Sequence, residues 1–136
     1  MLKKIATCLI AFLIILLTSG VQEIRSQEEY SYILGVWVTY GQERKAELTI
    51  KEISQAENKA IIFLKYEAAI QMHIPAGSYE VNNALFKPGP EPVIEFKSPT
   101  TGALNSFKFK RDGTAICTTS GVPRVSGALF SDWKKK

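Results

Sequence analysis

The residues that could carry acid–base or nucleophilic chemistry are few and scattered. Beyond residue 20 the chain holds one histidine, His73, and one cysteine, Cys117. A Ser-His-Asp or Cys-His arrangement needs an imidazole beside its nucleophile. His73 stands in Gln71-Met72-His73-Ile74-Pro75, close to the end of a β-rich run, where it reads as a half-exposed structural side chain. A His73–Cys117 pair has neither a further ligand nor the Cys-x-x-Cys spacing that supports a metal site. Cys117 falls in Ala115-Ile116-Cys117-Thr118, a strand-like setting that favours burial as a small hydrophobe. Glu43, Glu47, Glu52 and Glu57 fall at turns or on outward positions, and Glu28-Glu29 in a polar N-terminal stretch, so all read as solubilising charges. No Gly-x-Gly-x-x-Gly or Gly-Lys-Ser/Thr loop offers a backbone cradle for phosphate. The expectation is a protein that is not an enzyme and uses no metal or cofactor.

Apolar binding is the chemistry that remains. In residues 104–110, Phe107 and Phe109 alternate with Ser106, Lys108 and Lys110, so both rings face an interior. Residues 92–97 agree, with Ile94 and Phe96 inward, and residues 46–51 place Leu48 and Ile50 inward. Ile61-Ile62-Phe63-Leu64 is apolar on both faces, which implies that a terminal segment or a partner covers its outer side. Trp37, Phe63, Phe96, Phe107 and Phe109 are therefore the candidate ligand-binding residues. The same side chains would fill the core of a packed barrel, because an eight-stranded barrel is just wide enough for its own side chains.

The elements that position them are short β-rich runs at 31–40, 46–54, 59–67, 69–73, 78–81, 84–87, 92–97, 104–110, 114–119 and 125–133. No long helical pattern competes, and merging gives eight to ten strands. Asn82-Asn83 and Asp112-Gly113 suit type I′ hairpin turns, since these residues tolerate positive φ. The proline-rich 88–92 and the broken 98–102 are loops. Strands joined mainly by tight turns form an antiparallel up-and-down meander, whose edges are best removed by closure into a barrel. A two-sheet sandwich is the alternative. Closure would set Trp37 and Trp133 on neighbouring strands.

With 136 residues, 46% apolar and 22% charged, the chain has the composition of a soluble globular domain. Its first part stands apart. Lys3 and Lys4 precede an uncharged run at 5–17, and Thr18-Ser19-Gly20 supplies small residues for cleavage. This is the pattern of a signal peptide, 1–20, with cleavage as late as 26. The run is shorter than the roughly 20 residues that span a bilayer. The division is then a leader, a polar segment at 21–30 and one domain at 31–136, secreted or periplasmic. Removing the leader removes Cys8, so no intrachain disulfide can form.

Charge is divided along the chain. Residues 21–96 carry 7 basic and 11 acidic side chains, whereas 97–136 carry 8 basic and 2 acidic. Lys108, Lys110 and Arg111 should project together and offer an anionic surface or protein partner a landing site. Nucleic acid is disfavoured by export, and Phe107 and Phe109 face away from any base they could stack on.

The run Tyr32-Ile33-Leu34-Gly35-Val36-Trp37-Val38 places a Gly-x-Trp at the opening of the meander. Over residues 31–133 the chain resembles the lipocalin-like (calycin) barrels. The resemblance implies that Gly35 bends the chain into the first strand. It also implies that Trp37 plugs the closed end, crossed by a cation from near the last strand, Arg124 or Lys134. An apolar pocket for a small hydrophobic ligand would open at the opposite end. The chain lacks a Thr-Asp-Tyr segment and a disulfide, so it is similar to a compact bacterial-style domain of this type, and more loosely to avidin-like and protease-inhibitor barrels. The alternative function is an interaction or inhibitor domain with a filled barrel, acting through its loops and outer surface.

Overall fold

A computed structural model describes residues 29–40, 45–67, 77–99, 101–123 and 125–136. The leader, the run at 69–73, His73 and Arg124 lie outside the described residues. A single 3-10 turn, Ser31–Ile33, leads into eight strands: β1 (Gly35–Thr39), β2 (Ala46–Ser54), β3 (Lys59–Tyr66), β4 (Gly77–Lys87), β5 (Val93–Lys97), β6 (Leu104–Phe109), β7 (Thr114–Ser120) and β8 (Leu129–Lys135). Each strand pairs antiparallel with its sequence neighbour, and β1 pairs with β8 to close the barrel. The fold is the expected meander, and the sandwich is excluded. Closure gives every strand a neighbour on both sides.

The seam pairs Trp37 with Lys135, Val38 with Lys134 and Thr39 with Trp133. Trp37 and Trp133 thus lie on adjacent strands, as closure requires. Burial follows the two-residue period. β5 alternates half-buried Val93 and Glu95 with buried Ile94 and Phe96, and β6 buries Asn105, Phe107 and Phe109. The inward residues form one continuous core.

Three local readings are corrected. Asn82-Asn83 makes no turn but sits inside β4: Val81 pairs with Ile62 and Ala84 with Ala60, leaving both asparagines opposite Ile61 as a β-bulge. On the other flank of β3, Lys51 is the extra residue between the pairs Ile50–Ile62 and Glu52–Ile61. Two bulges therefore meet at one level of the barrel and sharpen the bend of β2 and β4 around β3. Asp112-Gly113 does turn the chain, but within a three-residue loop. The Gly113 N–H donates to Lys110 O at 3.4 Å, the Lys110 N–H to Thr114 O at 2.9 Å, and Gly113 takes φ 84°. This is a type I turn closed by a glycine bulge. Finally, β8 begins at Leu129 rather than 125, after Gly127 at φ 84°.

The polar segment also reaches further into the domain than its composition suggests. Tyr30 is 3% exposed and sets its ring edge-on to Phe86, with centroids 4.9 Å apart. Its hydroxyl accepts from the Gly89 N–H at 3.2 Å.

Candidate functional site

One end of the barrel is plugged. Trp37 is fully buried, and its indole N–H donates to Ile33 O at 2.9 Å, tying the first strand to the 3-10 turn beneath it. Gly35 joins the two at φ 112°, a value that a side chain would strain. Lys135 Nζ donates to Tyr32 O at 2.7 Å, and the Arg111 guanidinium lies over the Tyr32 ring at 4.8 Å. The Tyr32 hydroxyl has no partner, and burial pushes its pKa up against the opposing charge of Arg111. Cations do gather at this end, but not over Trp37. Lys134, expected there, projects outward over the Tyr40 ring at 5.9 Å, because its register opposite Val38 turns it to the outer face.

Above the plug the interior is aromatic. Phe109 meets Trp37 edge-on at 5.0 Å and stacks on Phe107 at 6.2 Å; Phe107 stacks on Phe96 at 5.8 Å and meets Trp133 edge-on at 5.0 Å. Four of the five sequence candidates, Trp37, Phe96, Phe107 and Phe109, are thus brought into one column. Phe63 is not among them. It faces outward between buried Ile62 and Leu64, with Lys51 Nζ 5.5 Å from its ring centroid. Lys51 also pairs with Glu80 at 3.2 Å. The cover that the doubly apolar run of β3 requires comes at Phe63 from the side chain of this neighbouring lysine, whose ammonium lies over the ring.

The end opposite Trp37 is of another character. Inward positions of β6, β7 and β8 there carry Asn105, Thr119 and Ser131, which sequence reasoning did not single out, beside Cys117, buried as expected. Asn105, Thr119 and Cys117 form a connected chain. Thr119 Oγ1 donates to Asn105 Oδ1 at 3.0 Å, and Asn105 Nδ2 reaches Ala103 O at 3.5 Å. Cys117 Sγ is 3.6 Å from Thr119 Oγ1, and Ser131, opposite Cys117 across the β7–β8 ladder, accepts the Trp133 indole N–H on its Oγ at 2.9 Å. A hydroxyl has one proton to give. With that of Thr119 on Asn105, the thiol donates to Thr119. These bonds run from Cys117 through Thr119 and Asn105 to Ala103 O, with the Trp133–Ser131 bond beside them. Burial pushes the Cys117 thiol up to about 11, with the surrounding hydrogen bonds offsetting only part of this. At that value the thiol stays protonated at neutral pH. On the facing wall, the Tyr66 and Tyr79 rings lie 6.4 Å apart and half-buried.

Of the expected basic cluster, Lys108 pairs with Glu91 at 3.3 Å, Arg111 rests on Tyr32 near the plugged end, and Lys110 closes the β6–β7 turn through its backbone. An outer groove of about 270 Å3, lined by charged side chains including Lys45, Glu47, Lys65 and Lys136, lies apart from the aromatic column.

Comparison of the chain with family models, with characterised proteins and with solved structures gives no match. The class defined here is therefore structural: a small closed antiparallel β-barrel with one plugged end.

Proposed function

We propose that this is an exported binding protein that takes a small, largely apolar molecule into the end of the barrel opposite Trp37, as lipocalin-like domains do. Binding rather than catalysis is the activity proposed. The observation that carries the reading is the asymmetry of the two ends. Around Trp37 every inward side chain is packed and the 3-10 turn seals the floor. At the far end half-buried Tyr66, Tyr79, Thr119 and Ser131 surround an aromatic base of Phe96, Phe107 and Trp133. Apolar walls with a few convergent polar groups are the usual lining of a small-molecule site. Export is supported by the composition of residues 1–20.

Native mass spectrometry of the protein recovered from its exported compartment tests this directly. A retained small molecule, displaced on unfolding, is the expected result. Apo protein that also binds no apolar probe would favour the second reading, a filled barrel acting through its surface. That reading draws on Phe130, which is 71% exposed on the outer face of β8.

A further inference from the structure

We propose that the free edge of β4, at the end of the barrel opposite Trp37, binds an extended segment of another protein as an added strand, with apolar side chains turned inward and an acidic one outward. The inference is independent of the small-molecule reading, since the groups it uses belong to the backbone of the wall. It begins from a mismatch in length. β4 has 11 residues and β5 has 5, and the two pair only at Leu85–Glu95, Phe86–Ile94 and Lys87–Val93. Gly77 to Asn83 therefore meets β3 on one side and, among the described residues, no strand on the other. In an antiparallel ladder alternate residues turn their N–H and C=O groups to opposite sides, so about half of this stretch presents both groups to the gap.

Two features hold the gap open. The bulge at Asn82-Asn83 bends β4 around β3. On the other side the chain leaves β5 by folding back toward β6: the Ser98 N–H donates to Ala103 O at 2.8 Å and the Gly102 N–H to Ser98 O at 2.9 Å, while Pro99 has no N–H to offer β4. The edge itself lacks the usual guards. Edges are commonly blunted by lysine, proline or an inward charge, and Gly77-Ser78-Tyr79-Glu80-Val81 contains none of these, the bulge lying past Val81. Its side chains lean the other way. Lys51 of β2 holds the Glu80 carboxylate at 3.2 Å, and the Tyr79 ring lies 6.4 Å from that of Tyr66 on β3.

The partner's chemistry follows from the two faces of the gap. In strand addition the main chain supplies affinity and alternate side chains supply specificity. Inward side chains of an added strand would stand beside half-buried Tyr79 and Val81, toward buried Phe96, which is an apolar setting. Outward ones would stand beside Ser78 and Glu80, with Lys97 at the end of β5. Glu80 is balanced by Lys51 and Glu95 by Lys87, whereas Lys97, and Lys65 opposite Ser78, make no ion pair among the described residues. Glu67 lies toward β2, where its N–H donates to Lys45 O at 3.0 Å. The uncompensated charge along the edge is positive and complements an acidic segment. A second copy's β4 would bring only Glu80, already held by Lys51, and would leave Lys97 unmatched.

Blocked synthetic heptapeptides test this on the folded protein. The peptide Val-Asp-Val-Thr-Val-Asp-Val should bind, slow amide hydrogen exchange within 77–83 and leave exchange in β6 and β7 unchanged. Two isomers N-methylated at alternate residues, one at the valines and one at the other positions, separate backbone from side chains. One isomer should lose more than about tenfold in affinity and the other stay within about twofold of the parent, because an added strand offers only one of its edges to β4. Apolar binding inside the barrel would treat the isomers alike and overturn the inference. Lys97→Glu should weaken the aspartate peptide and strengthen its lysine counterpart, each by about twofold to fivefold, the range of an exposed ion pair. Equal binding of the two peptides by the wild type, no binding of the parent, or unchanged exchange in 77–83 would also overturn it. So would a dimer in solution that the peptide dissociates, by making a second copy the occupant. None of these outcomes bears on the retention of a small molecule.

Discussion

Thr39 stands directly opposite Trp133 across the β1–β8 ladder, two residues along from Trp37, so both indoles sit on the pair of strands that closes the barrel. They do not meet directly. Phe109 and Phe107 connect them through edge-on and stacked contacts, and the seam is held from inside by rings as much as by its backbone bonds. Such pairs are worth about 0.5–1.5 kcal/mol beyond the area they bury.

Replacing Trp37 by alanine should therefore cost about 3–5 kcal/mol, as for other large buried aromatics. Trp37→Phe keeps most of the ring but strands the Ile33 carbonyl, and should cost about 1–3 kcal/mol. Urea denaturation of both variants checks this, and a loss below about 1 kcal/mol for the alanine variant would contradict the plug.

Phe63 and Phe107 offer a matched test of the two faces. Phe107→Ala opens a cavity in the aromatic column and should cost about 3–5 kcal/mol. Phe63→Ala removes a ring under Lys51 on the outer surface and should cost about 1 kcal/mol or less, mostly its cation–π contact. Probe binding should be unchanged by the second substitution.

Cys117 should answer to alkaline pH. Its folded pKa is raised from 9.0 to about 11, so the folded state holds a proton that the unfolded chain releases. Stability should be unaffected below about pH 9 and fall between 9 and 11 by about 1.4 kcal/mol per pH unit relative to Cys117→Ser. Alkylation by iodoacetamide at pH 8 should be slower by about a hundredfold in the native protein than in urea.

The β6–β7 turn makes an acid-side prediction. The Asp112 carboxylate accepts from the Thr114 hydroxyl at 2.6 Å and from its N–H at 2.9 Å, and these bonds hold its pKa below the ordinary 3.8. A lowered folded pKa means a contribution present at neutral pH and lost as pH falls below about 4, so wild type and Asp112→Ala should converge in stability in acid. In the same turn Gly113→Ala should cost about 1–2 kcal/mol, because φ 84° crowds a Cβ.

The strands were legible because their faces differ. Residues 104–110 alternate so cleanly that the inward set could be read directly, and Asn105 carries the same parity as Phe107 and Phe109. That parity was the available signal for the polar wall, and Thr119 shares it with Ala115 and Cys117. What the order of residues could not show is which inward polar groups become neighbours, since Asn105–Thr119 and Cys117–Ser131 are set by register between strands. Phe63 was misplaced for the opposite reason: in a run apolar on both sides, alternation carries no information. Asn82-Asn83 misled because a turn and a bulge favour the same residues.

That bulge has a consequence for how the gene can vary. Val81 and Ala84 both pack on the core although they are three residues apart, and so do Ile50 and Ile53 across Lys51. In a strand, an odd step should invert the face, so each extra residue resets the phase of everything after it. Deleting either Asn82 or Asn83, both exposed, removes no core contact of its own. It would leave Val81 and Ala84 two residues apart, matching Ile62 and Ala60 on β3, so both would still face inward and the loss would be of the bulge and the bend it gives β4. A one-codon loss here straightens β4 without inverting it, whereas a one-codon gain between Ala84 and Phe86 would turn Phe86 to solvent and carry Lys87 inward.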